Sequence, residues 1–166
     1  MFAAFEVATV MVAAVAMALA LAHALEWPGK ARLSEEHYVA MQSIYYPGFT
    51  VGGIAEPLAV LMMIALAVMT PTGTAAFWLI VAAALSFVGM HAAYWLLTHP
   101  VNNFWLKDVD LKGAGKEFFA ADPLRRIRAT QRPDWIVLRD RWEQSHAVRA
   151  GLGALGLVLL VSAVAI

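Results

Sequence analysis

Long apolar stretches alternate along the chain with two polar connections. The apolar runs cover roughly residues 2 to 26, 49 to 70, 75 to 98 and 146 to 166. Each matches the ~20 helical residues needed to cross about 30 Å of hydrocarbon. The pattern predicts four transmembrane helices in a single domain, 1–166, joined by polar connections at 27–48 and 99–145 and by the turn "TPTGT" at 70–74. The first run has no Lys or Arg ahead of it and exceeds the ~7–15 apolar residues of a signal-peptide core, so it reads as a retained helix. The fold class is all-α: an integral membrane four-helix bundle.

Finer patterning adds detail to the connections. "WPGK" at 27–30 predicts the end of the first helix, with Trp27 at the interface and a turn at Pro28-Gly29. Ser34 as N-cap, Glu35 and Glu36 in a first turn, and Tyr38, Met41 and Tyr45 at helical spacing predict a short interfacial helix that Pro47 stops. In the second run Gly52 and Gly53 permit close helix approach, and Pro57 opens the backbone ladder. Residues 101–131, with "KGAGK", read as a loop containing at most short helical pieces. From Asp134 the pattern is helical again: Trp135, Arg139, Trp142, His146, Arg149 and Gly153 share a stripe. The fourth helix therefore carries an extension and enters the membrane near His146.

Composition agrees with a membrane protein: 61% of residues are hydrophobic and 14% charged, against about 25% charged in soluble domains. All twelve Lys and Arg residues lie between Lys30 and Arg149. Antiparallel spans put both charged connections on one side, which the positive-inside rule makes cytoplasmic, with both termini outside; a bacterial cytoplasmic membrane is the expected location. Zero net charge leaves no basic excess for phosphates and excludes a nucleic-acid function. The expected partners are the lipid bilayer, a hydrophobic small molecule, and a second copy of the chain or a larger membrane complex. Without cysteine, any metal must be held by His, carboxylate or backbone oxygen.

The same alternation of helix direction collects the polar residues. His23 and Glu26 close the first helix, Glu56 opens the second, His91 and His99 end the third, and His146 and Arg149 open the fourth. All fall in one half of the bundle. At 1.5 Å rise per residue, Glu56 and His91 should each sit about 10 Å inside the membrane boundary. A carboxylate there is costly unless paired or hydrated, so Glu56 is expected to face inward and to function. The opposite half offers only Glu6, within reach of water.

His23, Glu26, Glu56 and His91 are candidate ligands for iron, zinc, copper or manganese. Glu56, His91 and His146 are candidate catalytic groups. If no metal is bound, Glu56 is the candidate base. His23 and His91 facing each other would alternatively make axial ligands of a haem. His99 is expected at a helix boundary and His37 in solvent. Tyr45, Tyr46, Tyr94, Trp95, Phe104, Trp105 and Trp142 form an interfacial belt, some of whose rings are placed to wall a flat substrate. The eight Met residues, scattered along the spans, read as packing.

"THPVNNFW" at 98–105 and "RWEQSHAVRA" at 141–150 resemble the signatures of the anthrone-oxygenase-like family of small four-helix membrane proteins. The matching residues are Pro100 and Asn102 in the first segment, and Arg141, Trp142, His146 and Arg149 in the second. The chain departs from that pattern at Thr98, where the family often has Asn, and His23, Glu26, Glu56 and His91 lie outside it. The resemblance implies an oxidoreductase using dioxygen on a flat aromatic substrate. Asn102, Trp105, Arg141, Trp142 and Arg149 are the expected substrate-binding residues, and Asn102, Trp105, Arg141, His146 and Arg149 are expected to line the mouth of the site and stabilise developing oxyanion charge. Two other classes stay open: a haem-carrying electron-transfer protein, and a non-catalytic subunit or assembly factor.

Overall fold

The computed structural model describes residues 2–106, 114–121 and 134–166, and these form helices and short turns without strand. In chain order the helices are α1 (Phe2–Lys30), α2 (Glu35–Gln42), α3 (Gly48–Gly52), α4 (Ala55–Met69), α5 (Ala75–Ala93), α6 (His99–Trp105), α7 (Ala114–Ala120) and α8 (Trp135–Val164). A 3₁₀ turn at Ser43–Tyr45 follows α2, and a π-helical turn at Tyr94–Thr98 joins α5 to α6.

Among the described residues, four helical stretches are long and apolar enough to cross a membrane: Phe2–Lys30, Gly48–Met69, Ala75–Asn102 and Trp135–Val164. α8 packs between α1 and α5, and α4 closes the bundle against the same two helices. The core between them is rich in small side chains, among them Ala13, Ala16, Ala20, Ala59 and Ala83, with Met63, Leu66, Phe87 and Leu160 filling the gaps. Lipid tails are as apolar as Leu, so helices gain by approaching closely, and small residues allow it. Gly156 marks a close approach in this core: a Cβ there would lie 2.6 Å from Phe87 Cδ2. The outer faces carry exposed Val7, Leu61, Val68, Leu85 and Val158, an arrangement suited to an apolar surround.

Three prolines shape the helices, Pro57 by opening the backbone ladder as its sequence position predicts, Pro28 and Pro100 by letting their helices continue. Pro28 does not end the first helix, which continues to Lys30. Its last turn is pinned by Lys30, only 3% exposed, whose Nζ lies 3.3 Å from Glu26 Oε2 and 3.2 Å from Glu143 Oε1. Pro57 opens the second span at Gly53-Ile54, one turn before itself. Having no N–H to give to Gly53 O, it leaves that carbonyl to Glu56 N–H at 3.1 Å, which fixes Glu56 in the first turn of α4.

Pro100 does not close the third helix either. The π turn widens the backbone ahead of it, with His99 N–H reaching back to Tyr94 O, and α6 runs on to Trp105. Leu96 O, four residues before Pro100, accepts from Arg141 Nη2 at 2.9 Å. The expected 99–145 connection is therefore largely helical where described: it holds α6, α7 and the first part of α8. Lys107, Lys112 and the remaining charges of residues 107–113 and 122–133 lie outside the described residues. Ser34 caps α2 as expected, accepting from His37 N–H, and Asp134 caps α8 through Ile136 N–H at 2.9 Å.

Candidate functional site

The polar ends of α1, α4, α5 and α8 surround a cavity of about 430 Å³. Its walls are largely aromatic: Tyr45, Tyr46, Phe49, Tyr94, Trp95 and Trp142 all line it. Phe118 and Phe119 of α7 also line it. α7 is tethered by His99, whose Nε2 lies 2.7 Å from Ala121 O. A carbonyl only accepts, so Nε2 carries the proton, and Nδ1 accepts from Tyr94 Oη at 3.0 Å. His99, expected at a surface boundary, is thus buried at 2% exposure, because the helix continues past it.

Glu56, 3% exposed, is the centre of the first polar cluster. Arg149 Nη2 donates to its Oε2 at 2.6 Å, joining two helices that the sequence separates by 93 positions. Its Oε1 has no hydrogen bond and faces His91 Nδ1 at 3.6 Å. Trp95 Nε1 donates to His91 Nε2 at 3.0 Å, which places the imidazole proton on Nδ1, toward Glu56. His146 is similarly fixed: Nδ1 donates to Trp142 O at 2.9 Å and Nε2 accepts from Arg149 Nη1 at 3.3 Å. Both His146 nitrogens are thus committed, and the ring positions Arg149.

A second cluster lies toward the open end of the bundle. Lys30 bridges Glu26 and fully buried Glu143 and lies 4.5 Å from the Trp142 ring centre. Tyr38 Oη donates to Glu143 Oε1 at 2.9 Å, and Tyr45 Oη donates to Glu26 Oε2 at 2.6 Å. Burial, reinforced by the carboxylate each phenol touches, pushes both tyrosines well above their usual ionisation range, so both remain donors. His23 stands between the clusters. Its Nδ1 is 3.6 Å from Glu26 Oε2, and its ring centre is 4.4 Å from those of Tyr45, Phe49 and His146.

The four residues expected as metal ligands do not meet at one centre. They separate into the pairs His23/Glu26 and Glu56/His91, each engaged by a cation or phenol of its own. Among the described residues no group of three or more His, Asp or Glu side chains converges in a geometry that could hold a metal ion. For the alternative haem bridge between His23 and His91, His91 Nε2 is taken by Trp95 Nε1 at 3.0 Å, its Nδ1 faces Glu56 Oε1 at 3.6 Å without a hydrogen bond, and His23 lies among the rings of Tyr45, Phe49 and His146.

Of the expected substrate-binding residues, Asn102, Trp105, Trp142 and Arg149 line the cavity, while Arg141 is not among its lining residues and instead serves Leu96 O. The two signature segments bind each other: Trp142 Nε1 donates to Asn102 Oδ1 at 2.8 Å, and Thr98 Oγ1 meets Ser145 Oγ at 2.8 Å.

Sequence reasoning missed Lys30, Tyr38 and Glu143 as site-forming residues. One signal was available for Glu143: it stands three positions before His146 and four after Arg139, beside the polar stripe of α8. Comparison with family models, with curated proteins and with solved structures returned no match.

Proposed function

We propose that the chain is a membrane oxidoreductase that binds a flat, hydrophobic aromatic substrate in this cavity and processes it at the Glu56 cluster. The observation that carries the reading is the 430 Å³ aromatic-walled cavity with the Glu56–Arg149–His91 cluster in its wall. That volume falls in the range of sites for small organic ligands, which are mostly apolar with a few fixed polar groups. The signature resemblance supplies the substrate class, an anthrone. The clustering of Lys and Arg in the connections supports a cytoplasmic opening of the cavity and outside termini in a bacterial cytoplasmic membrane.

The chemistry follows from the open lone pairs of Glu56 Oε1. This atom takes a proton from the acidic methylene of an anthrone, while Arg149 holds the other oxygen and His91 orients the first. The resulting anthrolate gives electrons to dioxygen. Overall, anthrone and O₂ yield anthraquinone and water, one oxygen atom going to each product. Arg149 Nε, which has no hydrogen bond among the described residues, is placed to meet the developing oxyanion. No metal is required by this scheme.

The test is oxygen uptake by detergent-purified protein supplied with 1,8-dihydroxyanthrone. The reading expects one O₂ consumed per anthraquinone formed, at a rate proportional to protein and above the empty-micelle control. A rate equal to that control contradicts it.

A further inference from the structure

The cavity is walled unevenly. Where α1 and α8 line it, Ala20, His23, Trp142 and His146 are all buried. Its exposed lining residues are Pro47, Val51, Ile54 and Phe118. The first three follow one another about a turn apart where the second span begins, and the Phe118 ring lies 5.8 Å from that of Trp95 in the third span. Val51 and Ile54 are each 62% exposed although they line the cavity, so the wall there is one side chain thick. His91 borders the same gap, its side chain 37% exposed. α3, which carries Val51, packs on α1 and the 3₁₀ turn, leaving a mouth between the start of the second span and the end of the third.

That mouth lies at the depth of acyl chains. At 1.5 Å rise per residue, Ile54 stands about 9 Å beyond Gly48 and His91 about 10 Å before Thr98, both inside stretches long and apolar enough to cross a membrane. An imidazole is tolerated there when its polar atoms turn to protein. His91 Nδ1 is buried toward Glu56, and its Nε2 accepts from Trp95. The end toward the polar connections is stopped, among the described residues, by α7. Phe119 is buried there, a Cβ on Gly115 would strike the Tyr46 hydroxyl, and His99 holds Ala121 O.

We infer that the cavity fills from the side: an uncharged hydrophobic molecule dissolved among the acyl chains passes between Val51, Ile54, His91 and Trp95, and the cytosol is not its source. The opening in the cytoplasmic half is thus lateral, facing one leaflet. A molecule that reaches Glu56 by this path must first partition into the bilayer, which selects against anionic aromatics whatever their fit to the rings. The inference rests on the proposed function for the hydrophobic class of substrate, and not for its turnover.

The chain has no cysteine, so a single introduced thiol reports on access. Ala20→Cys puts one on the buried wall of the cavity, and Ala16→Cys, a turn away on the same wall, serves if the first does not fold. In lipid nanodiscs, with both water faces open, each is treated with N-phenylmaleimide, which dissolves in the bilayer, or with its para-sulfonated analogue, which does not. Ser43→Cys, exposed just after α2, gives the reference rate for each reagent, and labelling is read by intact-protein mass spectrometry. Relative to that reference, the neutral reagent is expected to label the cavity thiol about tenfold or more faster than the sulfonate, a lower bound on the cost of a charge in hydrocarbon. Ile54→Trp or Val51→Trp, by filling the mouth, should slow the neutral reagent severalfold at the cavity and not at Ser43→Cys.

Equal relative rates, faster labelling by the sulfonate, no cavity labelling by either reagent, or no slowing in folded mouth variants would overturn the inference. Its failure is distinct from failure of the oxygenase reading. Lateral labelling in a protein that oxidises no anthrone removes only the latter, and anthrone oxidation with equal reagent rates removes only the lateral mouth.

Discussion

Trp142 donates its indole N–H to Asn102 Oδ1 at 2.8 Å, so the two segments that resemble known signatures are partners in space, holding α6 against α8. The Trp142 ring also lies 4.0 Å from His146 and 4.5 Å from the Lys30 ammonium. It thereby links both polar clusters to one side chain.

Asn102→Ala leaves that buried N–H without an acceptor, a loss of about 1–3 kcal/mol. Thermal unfolding of the purified variant should show a lower midpoint than wild type. An unchanged midpoint would mean the contact contributes nothing to stability.

Lys30→Met strands the Glu143 carboxylate, which is fully buried. Removing one partner of a buried ion pair costs about 3–5 kcal/mol, so this variant should lose more stability than Asn102→Ala. Adding Glu143→Gln should recover part of the loss, because the unpaired charge is then gone. A double-mutant cycle on unfolding midpoints checks the sign.

Much of this architecture is legible in the sequence, and the rest is hidden for identifiable reasons. Apolar run length gives the helices, and the energetic penalty on intramembrane charge singles out Glu56 from its apolar neighbours alone. The antiparallel order of spans brings Glu56, His91, His146 and Arg149 to one end. Pairing is another matter. Lys30 and Glu143 are adjacent to ordinary interfacial residues in sequence, and only the packing of α1 on α8 makes them partners. Pro28 reads as a turn, and the third run reads as ending at 98, because local rules weigh the lost N–H and the loss of apolar character. Tertiary bonds from Lys30 and Arg141 and a π turn override those rules in the folded chain. Among the described residues the four expected metal ligands separate into two pairs for the same reason: spacing places them at one end of the bundle, but not which neighbour each one meets.

Gly156 and Gly151 make a matched pair on α8. A Cβ at Gly156 would press on the Phe87 ring at 2.6 and 2.7 Å, whereas one at Gly151 meets nothing within 4 Å. Gly156→Ala should destabilise by about 1–3 kcal/mol through overpacking. Gly151→Ala should be neutral or gain up to about 1 kcal/mol from helix propensity. Opposite ordering of their unfolding midpoints would contradict the packing described.

Tyr38 and Tyr45 set an alkaline limit. Their folded ionisation lies above the unfolded value, by burial first and then by Glu143 and Glu26. The stability they contribute is therefore fully present below the unfolded pKa of about 10 and is lost as pH rises beyond it. Unfolding midpoints should be insensitive to these groups near neutrality and fall above about pH 10. Tyr45→Phe should make that fall shallower while lowering stability at neutral pH through loss of the Glu26 contact.

The most direct test of the account is single-turnover oxidation of 1,8-dihydroxyanthrone by wild type and Glu56→Gln, with anthraquinone binding and unfolding midpoint measured on the same samples. The account predicts a rate lower by about 100-fold or more, the usual worth of a general base, in a variant that still folds and still binds anthraquinone. A folded Glu56→Gln protein that oxidises the anthrone at the wild-type rate would contradict it.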